Sequence, residues 1–327
     1  MAEKLVEVKS LRKYFHVGHA QVLHAVDDVS FTIERGKTLG MVGESGCGKT
    51  TVGRTLLRLY DADGGQVLFH GEDVHHLPRN RQKEFTRRMQ MVFQDPYASL
   101  DPRKTVGAIV GEGLRIHKLC NSKAEYDAKV YALLEMVGLN REHASRFPHE
   151  FSGGQRQRVG IARALSVGPE FIVCDEAISA LDVSIQAQVI NLLMRLQKQL
   201  GLTYLFIAHD LSMVRHVADD VAVMYLGTLV ETAPADALFD RPMHPYTIGL
   251  LAAAPEPDPD YEQSRASRLL TGEVPSAINP QPGCRFCQRC PYTMDECRRA
   301  MPPLVEVEPG HRVACYHVAT CVPDSTR

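Results

Sequence analysis

The chain has 327 residues, 44% of them hydrophobic and 23% charged, which is long enough for a sizeable core and for more than one ordinary domain. Lys plus Arg number 37 against 39 Asp plus Glu, a formal charge of −2, so there is no bulk excess of base to grip nucleic acid or anionic lipid. No run approaches the roughly 18 to 20 apolar residues of a membrane-spanning helix, the charged start MAEKLVEVKS reads against a signal peptide, and nine cysteines, an odd number, point to a reducing compartment.

The first 40 residues alternate in strand fashion, LVEVKSL and then VLHAVDDVSFTIERG, and lead into the apolar run TLGMVG. Gly43-Glu44-Ser45-Gly46-Cys47-Gly48-Lys49-Thr50 follows and matches the phosphate-binding pattern G-x-x-x-x-G-K-[ST], with the helical period of TTVGRTLLRLY behind it. Strand, glycine loop and helix in that order open an α/β nucleotide fold. Glycines let successive N–H groups point at phosphate, the helix N-terminus adds positive dipole, Lys49 reaches the β and γ phosphates, and the Thr50 hydroxyl binds Mg²⁺.

Helix signals dominate residues 84–165, with an amphipathic stretch at 123–137. Phe151-Ser152-Gly153-Gly154-Gln155 is a second glycine pair opening a helix, an anion-binding shape with Ser152 as N-cap. One nucleotide does not need two such sites in one chain. Phe171-Ile172-Val173-Cys174-Asp175-Glu176 is an apolar strand ending in two carboxylates, where the C-terminal edge of an open α/β sheet faces its ligand crevice. There Asp175 would hold Mg²⁺ through water and Glu176 would orient and deprotonate the water that attacks the γ-phosphate. The helix-like VSIQAQVINLLMRLQKQLG and the apolar TYLFIAHD complete a βαβ arrangement.

Nine prolines from Pro234 to Pro282 then punctuate a segment with few apolar periods, so a boundary is placed near Ala235, giving domains 1–235 and 236–327. Cys284, Cys287, Cys290, Cys297, Cys315 and Cys321 all lie in this loop-rich tail, with the first three spaced C-x2-C-x2-C. Four thiolates suit either tetrahedral Zn²⁺ or an iron–sulfur cluster, a staple that would order a segment too poor in apolar residues to order itself. ATP affinity is expected to be insensitive to changes in the tail, because the glycine loop lies in a domain with its own core.

Taken in order, the motifs resemble those of the ATP-binding subunits of ATP-binding-cassette (ABC) transporters, whose signature is (L/F)SGGQ and whose ATP is sandwiched between the P-loop of one subunit and the signature of another. The resemblance covers residues 5–235 and implies an α/β P-loop NTPase of ABC type: a RecA-like core, an antiparallel β-subdomain and a helical subdomain, here with a loop-rich cysteine-containing extension. It makes Gly43, Glu44, Ser45, Gly46, Cys47, Gly48, Lys49, Thr50 and Thr51 the phosphate cradle, and Phe15 the aromatic that stacks on adenine, with Tyr14 as the alternative. Gln94 becomes the Q-loop ligand of Mg²⁺ and water, Ser152, Gly153, Gly154 and Gln155 the signature, and Asp182 the end of the D-loop Ser179-Ala180-Leu181-Asp182. Glu176 is then the catalytic base and His209 the switch histidine on the γ-phosphate. One departure is Ala177-Ile178, where the family usually has Pro-Thr or Pro-Val.

The segments Gln94-Asp95-Pro96-Tyr97-Ala98-Ser99-Leu100-Asp101-Pro102-Arg103 and His244-Pro245-Tyr246-Thr247 look like the dipeptide, oligopeptide and nickel importer branch. Tails of that branch carry GC-x5-C-x6-C and a distant cysteine near HxVAC, matched by Cys284, Cys290, Cys297 and Cys315, and are similar to [4Fe-4S] sites. Zn²⁺ is the alternative, favoured by the extra Cys287. The resemblance implies a cytoplasmic ATPase, peripheral on the cytoplasmic face of the membrane, powering import of di- or oligopeptides or a related solute such as nickel. Its partners would be a second ABC ATPase subunit, expected to be a paralogue, two membrane permease subunits and an external solute-binding protein. A soluble, non-transport ABC ATPase is the alternative; the paired cassettes or long coiled-coil insertion of such proteins are not in this sequence.

Overall fold

The structure is a computed structural model that describes residues 3–18, 20–179, 181–209, 211–253 and 272–318; Ala180, Asp210, Pro255, Pro257, Pro259 and Cys321 lie outside them. Strands β1 (Lys4–His16), β2 (Val22–Glu34) and β3 (Thr38–Val42) precede helix α1 (Lys49–Leu56) and strands β4 (Gly64–Phe69) and β5 (Glu72–Asp73). Then come α2 (Arg79–Arg88), β6 (Met89–Val92), α3 (Val106–Val110), α4 (Glu112–Ile116), α5 (Lys123–Met136) and α6 (Gly153–Leu165). The βαβ arrangement is β7 (Phe171–Asp175), α7 (Val183–Leu200) and β8 (Thr203–Ile207). The chain continues with α8 (Leu211–Val217), β9 (Asp220–Tyr225), β10 (Thr228–Pro234), α9 (Ala235–Asp240), α10 (Pro245–Ala252), α11 (Asp295–Arg299), β11 (Val305–Glu308) and β12 (His311–Val313). None of the described helices is long and apolar enough to cross a membrane.

Two compact units are formed. The first comprises Glu72–Ile207 with short pieces around Leu5 and Ile33–Lys37. In it β6, β7 and β8 pair in parallel, Met89 opposite Phe171 and Phe171 opposite Thr203. Every residue of β7 and β8 is buried, which is why these strands read as unbroken apolar runs rather than alternating ones. Helix α7 buries Val189, Ile190, Leu192, Leu193 and Leu196 along one stripe and stops at Gly201, whose φ of 67° forms a left-handed C-cap. Helix α5 starts where the Ser122 hydroxyl accepts the Glu125 N–H at 3.1 Å.

The second unit comprises Val6–Thr32, Thr38–Gly71 and the chain from Ala208 on. Strand β9 runs parallel to β3, Leu39 opposite Asp220, and turns back antiparallel into β10. The tail extends this ladder: β12 is antiparallel to β10, with Glu231 opposite Val313, and β11 to β12. A smaller antiparallel set orders its strands β2–β1–β4. Along β2 the tail adds a further rung, since Leu23 bridges Ile278, the His24 N–H donates to the Ala277 carbonyl at 3.0 Å and the Asn279 N–H to the Val22 carbonyl at 2.9 Å. The described tail is therefore built into this unit's β-structure at two places, where the sequence suggested an appendage. A buried carboxylate locks the first: Glu231, 0% exposed, accepts the N–H groups of Met243 (2.7 Å) and His244 (3.0 Å) and lies 2.7 Å from Nε2 of His311. Both oxygens of this buried carboxyl group are thus hydrogen-bonded, the condition for keeping so polar a group in a core.

Candidate functional site

Strand β3 delivers the chain to Gly43, where φ is 151° and a Cβ would lie 2.1 Å from the Met224 carbonyl oxygen. At Gly48 φ is 109° and a Cβ would lie 2.0 Å from the Ala25 carbonyl oxygen. Only glycine fits either place. The loop between them wraps Lys49, 4% exposed, whose ammonium donates to the Gly43 carbonyl at 2.7 Å and the Glu44 carbonyl at 2.9 Å. Thr50 and Thr51 follow in the first turn of α1, which carries no acidic residue to offset the positive end of its dipole. Ser45 and Gly46 are exposed at the tip, whereas Cys47 is buried, and that burial pushes its thiol pKa up against the pull of Lys49. Glu44 is anchored twice: its N–H donates to the Tyr246 hydroxyl at 2.9 Å, and its carboxylate accepts both Nη atoms of Arg289 at 2.9 and 3.1 Å. His209, exposed two residues after β8 ends, belongs to the same unit as this loop.

Phe15, near the end of β1, is half-buried and edge-on to Tyr60, with ring centroids 5.4 Å apart. The Tyr14 hydroxyl instead donates to Asp27 at 2.6 Å, and burial together with that bond pushes its pKa up to about 12. The Tyr14 ring lies against His24, with centroids 4.3 Å apart.

The other unit carries the carboxylates. Asp175, 1% exposed, is the last residue of β7, and Glu176 follows at φ 43°, a left-handed value uncommon outside glycine. The turn is held by the Glu176 N–H on the Ile207 carbonyl (3.0 Å) and by the N–H and hydroxyl of Ser179 on the Glu176 carbonyl (3.1 and 3.0 Å). Ala177 and Ile178, 1% and 5% exposed, thus replace a proline-stiffened turn by one fixed through packing and Ser179. The Gln94 amide donates to the Glu176 carboxylate at 2.6 Å, so two of the sequence-predicted residues are in direct contact.

At the start of α6, the Ser152 hydroxyl accepts the Gln155 N–H at 3.4 Å, while the Gln155 side-chain oxygen accepts the Ser152 N–H at 3.0 Å. This reciprocal cap sets the helix end firmly while leaving it exposed. A Cβ on Gly154 would lie 2.5 Å from Cγ2 of Ile185, so this glycine lets α6 approach the start of α7, whereas one on Gly153 would make an ordinary contact 3.4 Å from Cδ2 of Leu181. Asp182 is exposed at the N-cap of α7.

In the tail, Cys284, Cys287, Cys290, Cys297 and Cys315 line one small pocket with His244 and His317. Burial, and then the neighbouring thiols, push Cys284 up to about 12 and Cys290 up to about 11. Thiols so placed resist ionising together, and a bound cation is what reverses that. Among the described residues no group of three or more His, Cys, Asp or Glu side chains is disposed to hold a metal ion. The partners that sequence reasoning missed are Arg285, Arg289 and Asp27; the only local signal was two arginines spaced between cysteines.

A model of the ABC transporter family matches residues 26–179, and one of the oligopeptide/dipeptide transporter C-terminal region matches residues 230–297. The chain is 57% identical over 316 residues to the oligopeptide transport ATP-binding protein OppF of Bacillus subtilis, covering 96% of this chain and 97% of that one. It is 49% identical over 321 residues to AppF of the same organism, an oligopeptide transport ATP-binding protein, covering 96% and 97%. Among solved structures, cbiO1 from Clostridium perfringens, part of the ABC transporter complex cbiONQ, aligns with a TM-score of 0.65 at 25% identity over 73% of this chain and 91% of that one. The ATP-binding cassette MJ0796, a dimer in a post-hydrolysis state bound to ADP and Pi, aligns with a TM-score of 0.65 at 26% identity over 71% and 99%. The chain belongs to the ATP-binding proteins of ABC transporters, in the branch that carries the oligopeptide/dipeptide transporter C-terminal region.

Proposed function

We propose that the chain is the ATP-hydrolysing subunit that powers import of di- or oligopeptides through a separate membrane permease. The observation that carries this is identity above one half with OppF along nearly the whole of both chains, the C-terminal region included. In this reading the Lys49 ammonium exchanges the Gly43 and Glu44 carbonyls for the β and γ phosphates, and the phosphates lie against the N–H groups of residues 43–51. Glu176, oriented by Gln94, takes the proton of the attacking water, and His209 contacts the γ-phosphate. The oxygens of Thr50, Asp175 and Gln94 suit Mg²⁺, a hard cation, which when bound neutralises phosphate charge. Ser152, Gly153, Gly154, Gln155 and Asp182 serve the nucleotide of a second ATPase subunit, expected to be a paralogue; the dimeric cassette with ADP and Pi supports such a sandwich. Two permease subunits, an external solute-binding protein and a peripheral place on the cytoplasmic face of the membrane complete the assembly. The cassette is taken to end near Ala235, close to where the match to the C-terminal region begins. Lys49→Ala removes the charge on the β and γ phosphates, so ATP binding should be lost; unchanged binding in that variant would overturn the phosphate-loop assignment.

For the tail, we infer that Cys284, Cys290, Cys297 and Cys315 hold a [4Fe-4S] cluster. What supports it is that the four share one pocket and that Cys284, Cys290 and Cys297 lie within the segment matched to the C-terminal region. Anaerobically purified protein should be brown, with iron and acid-labile sulfide near about four each per chain, bleached by Ser at any of the four and unaffected by Cys287→Ser. A colourless protein with one tightly bound zinc would replace the cluster by a structural Zn²⁺ site, with Cys287 as a candidate ligand.

A further inference from the structure

Two arginines sit inside the cysteine turn, Arg285 between Cys284 and Cys287 and Arg289 between Cys287 and Cys290, and they reach in different directions. Arg289, 6% exposed at its side chain, forks onto both carboxylate oxygens of Glu44. Its guanidinium carbon lies 5.9 Å from the Tyr225 ring centroid and 6.0 Å from that of Phe286, and Nη1 is 3.4 Å from the Tyr225 hydroxyl. An exposed ion pair would contribute little, but a bidentate pair whose guanidinium is set among aromatic rings resists separation, because Arg289 alone would be left desolvated while Glu44 stays one-quarter exposed. Lysine cannot copy that fork. Tyr246, fully buried, accepts the Glu44 N–H from α10, and Phe286 packs against both tyrosines, 5.4 Å from Tyr225 and 5.5 Å from Tyr246. Both the backbone and the side chain of this one phosphate-loop residue are thus held from outside the loop, while Lys49 holds its carbonyl from within.

Arg285, 11% exposed, donates to Oδ2 of Asp27 at 2.7 Å. Asp27 also accepts the Tyr14 hydroxyl at 2.6 Å and lies 3.1 Å from Nδ1 of His24. Burial opposes ionisation of Asp27, yet the Tyr14 and His24 hydrogen bonds and the Arg285 charge together hold its carboxyl below the usual range. Tyr14 immediately precedes Phe15, so the second arginine fixes the strand that carries the adenine-side aromatic.

We propose that Arg289 and Arg285 are positioning residues for the nucleotide: the cysteine turn holds the phosphate loop through one and the adenine-side strand through the other, and so sets ATP affinity. A loop that must present its N–H groups in one arrangement binds more weakly in proportion to the time it spends in others, which is what release of Glu44 would allow. This inference rests on the nucleotide site proposed above, and it reverses the expectation that the tail leaves ATP affinity untouched.

The test is equilibrium binding of ATP and of inorganic triphosphate to the full-length chain, with thermal melting of each variant as the control. Arg289→Gln should weaken both ligands about 10-fold, and Arg289→Lys should recover part of the loss, since an ammonium restores the charge without the fork. Arg285→Gln should weaken ATP while leaving inorganic triphosphate within about twofold, because only the base side is released. Wild-type ATP affinity in Arg289→Gln would overturn the inference. So would equal losses of both ligands in both Gln variants with no recovery in Arg289→Lys, the pattern of general destabilisation. A wild-type chain that binds neither ligand would overturn the nucleotide reading itself, and this inference with it.

Discussion

Glu176 is held at a left-handed φ of 43° by Ser179 and receives the Gln94 amide at 2.6 Å, so its carboxylate is aimed by two neighbours and not by a proline after it. Glu176→Gln keeps the shape and an acceptor for water but cannot take a proton. Turnover by the assembled ATPase should therefore fall by about 10² to 10⁴ while ATP binding persists; unchanged turnover would move the base elsewhere, with Asp182 and His209 the first to examine. Cys47 gives a second test at this scale. Burial raises its pKa, leaving less thiolate at any given pH, so iodoacetamide near pH 8 should label the half-exposed Cys120 well before Cys47, and equal rates would contradict the buried loop. The site residues legible in the sequence are those whose chemistry is local: a glycine spacing, two carboxylates after an apolar run, a serine opening a helix. Arg289 and Arg285 were not legible, because Glu44 lies 245 positions away from one and Asp27 lies 258 positions away from the other.

Among the elements, β3, α1, β7, α7 and β8 follow the periods of their own segments, since each buries a continuous run or a single stripe. The tail does not, because its order comes from strands far off in the chain: β12 against β10, and residues 277–279 against β2. Such pairings use backbone groups, which leave no side-chain period to read. Phe286 is the apolar side chain that secures this arrangement, 1% exposed among Tyr225, Tyr246 and His244. Phe286→Ala should cost about 3 to 5 kcal/mol of stability, measured by denaturant unfolding. Limited proteolysis should then cut first within the cysteine-rich segment; a loss below about 1 kcal/mol would show that the tail packs independently of this ring.

At the scale of the whole molecule, the proposed function is that of one half of an ATP-driven engine whose phosphate loop and signature helix serve two different nucleotides, with the cysteine turn proposed to brace the loop. Isolated, the chain should bind ATP but turn it over slowly, because a second subunit must supply the facing signature; turnover that rises linearly with chain concentration, with no gain from a partner ATPase, would contradict that division. The measurement that bears most directly on the central claim is peptide uptake into vesicles reconstituted with this chain, its partner ATPase, the permease pair and the solute-binding protein. Labelled oligopeptide should accumulate only with ATP, and the accumulation should stop with Glu176→Gln. Uptake that proceeds equally without ATP or with Glu176→Gln, or ATP hydrolysis with no oligopeptide entering, would contradict the proposed function.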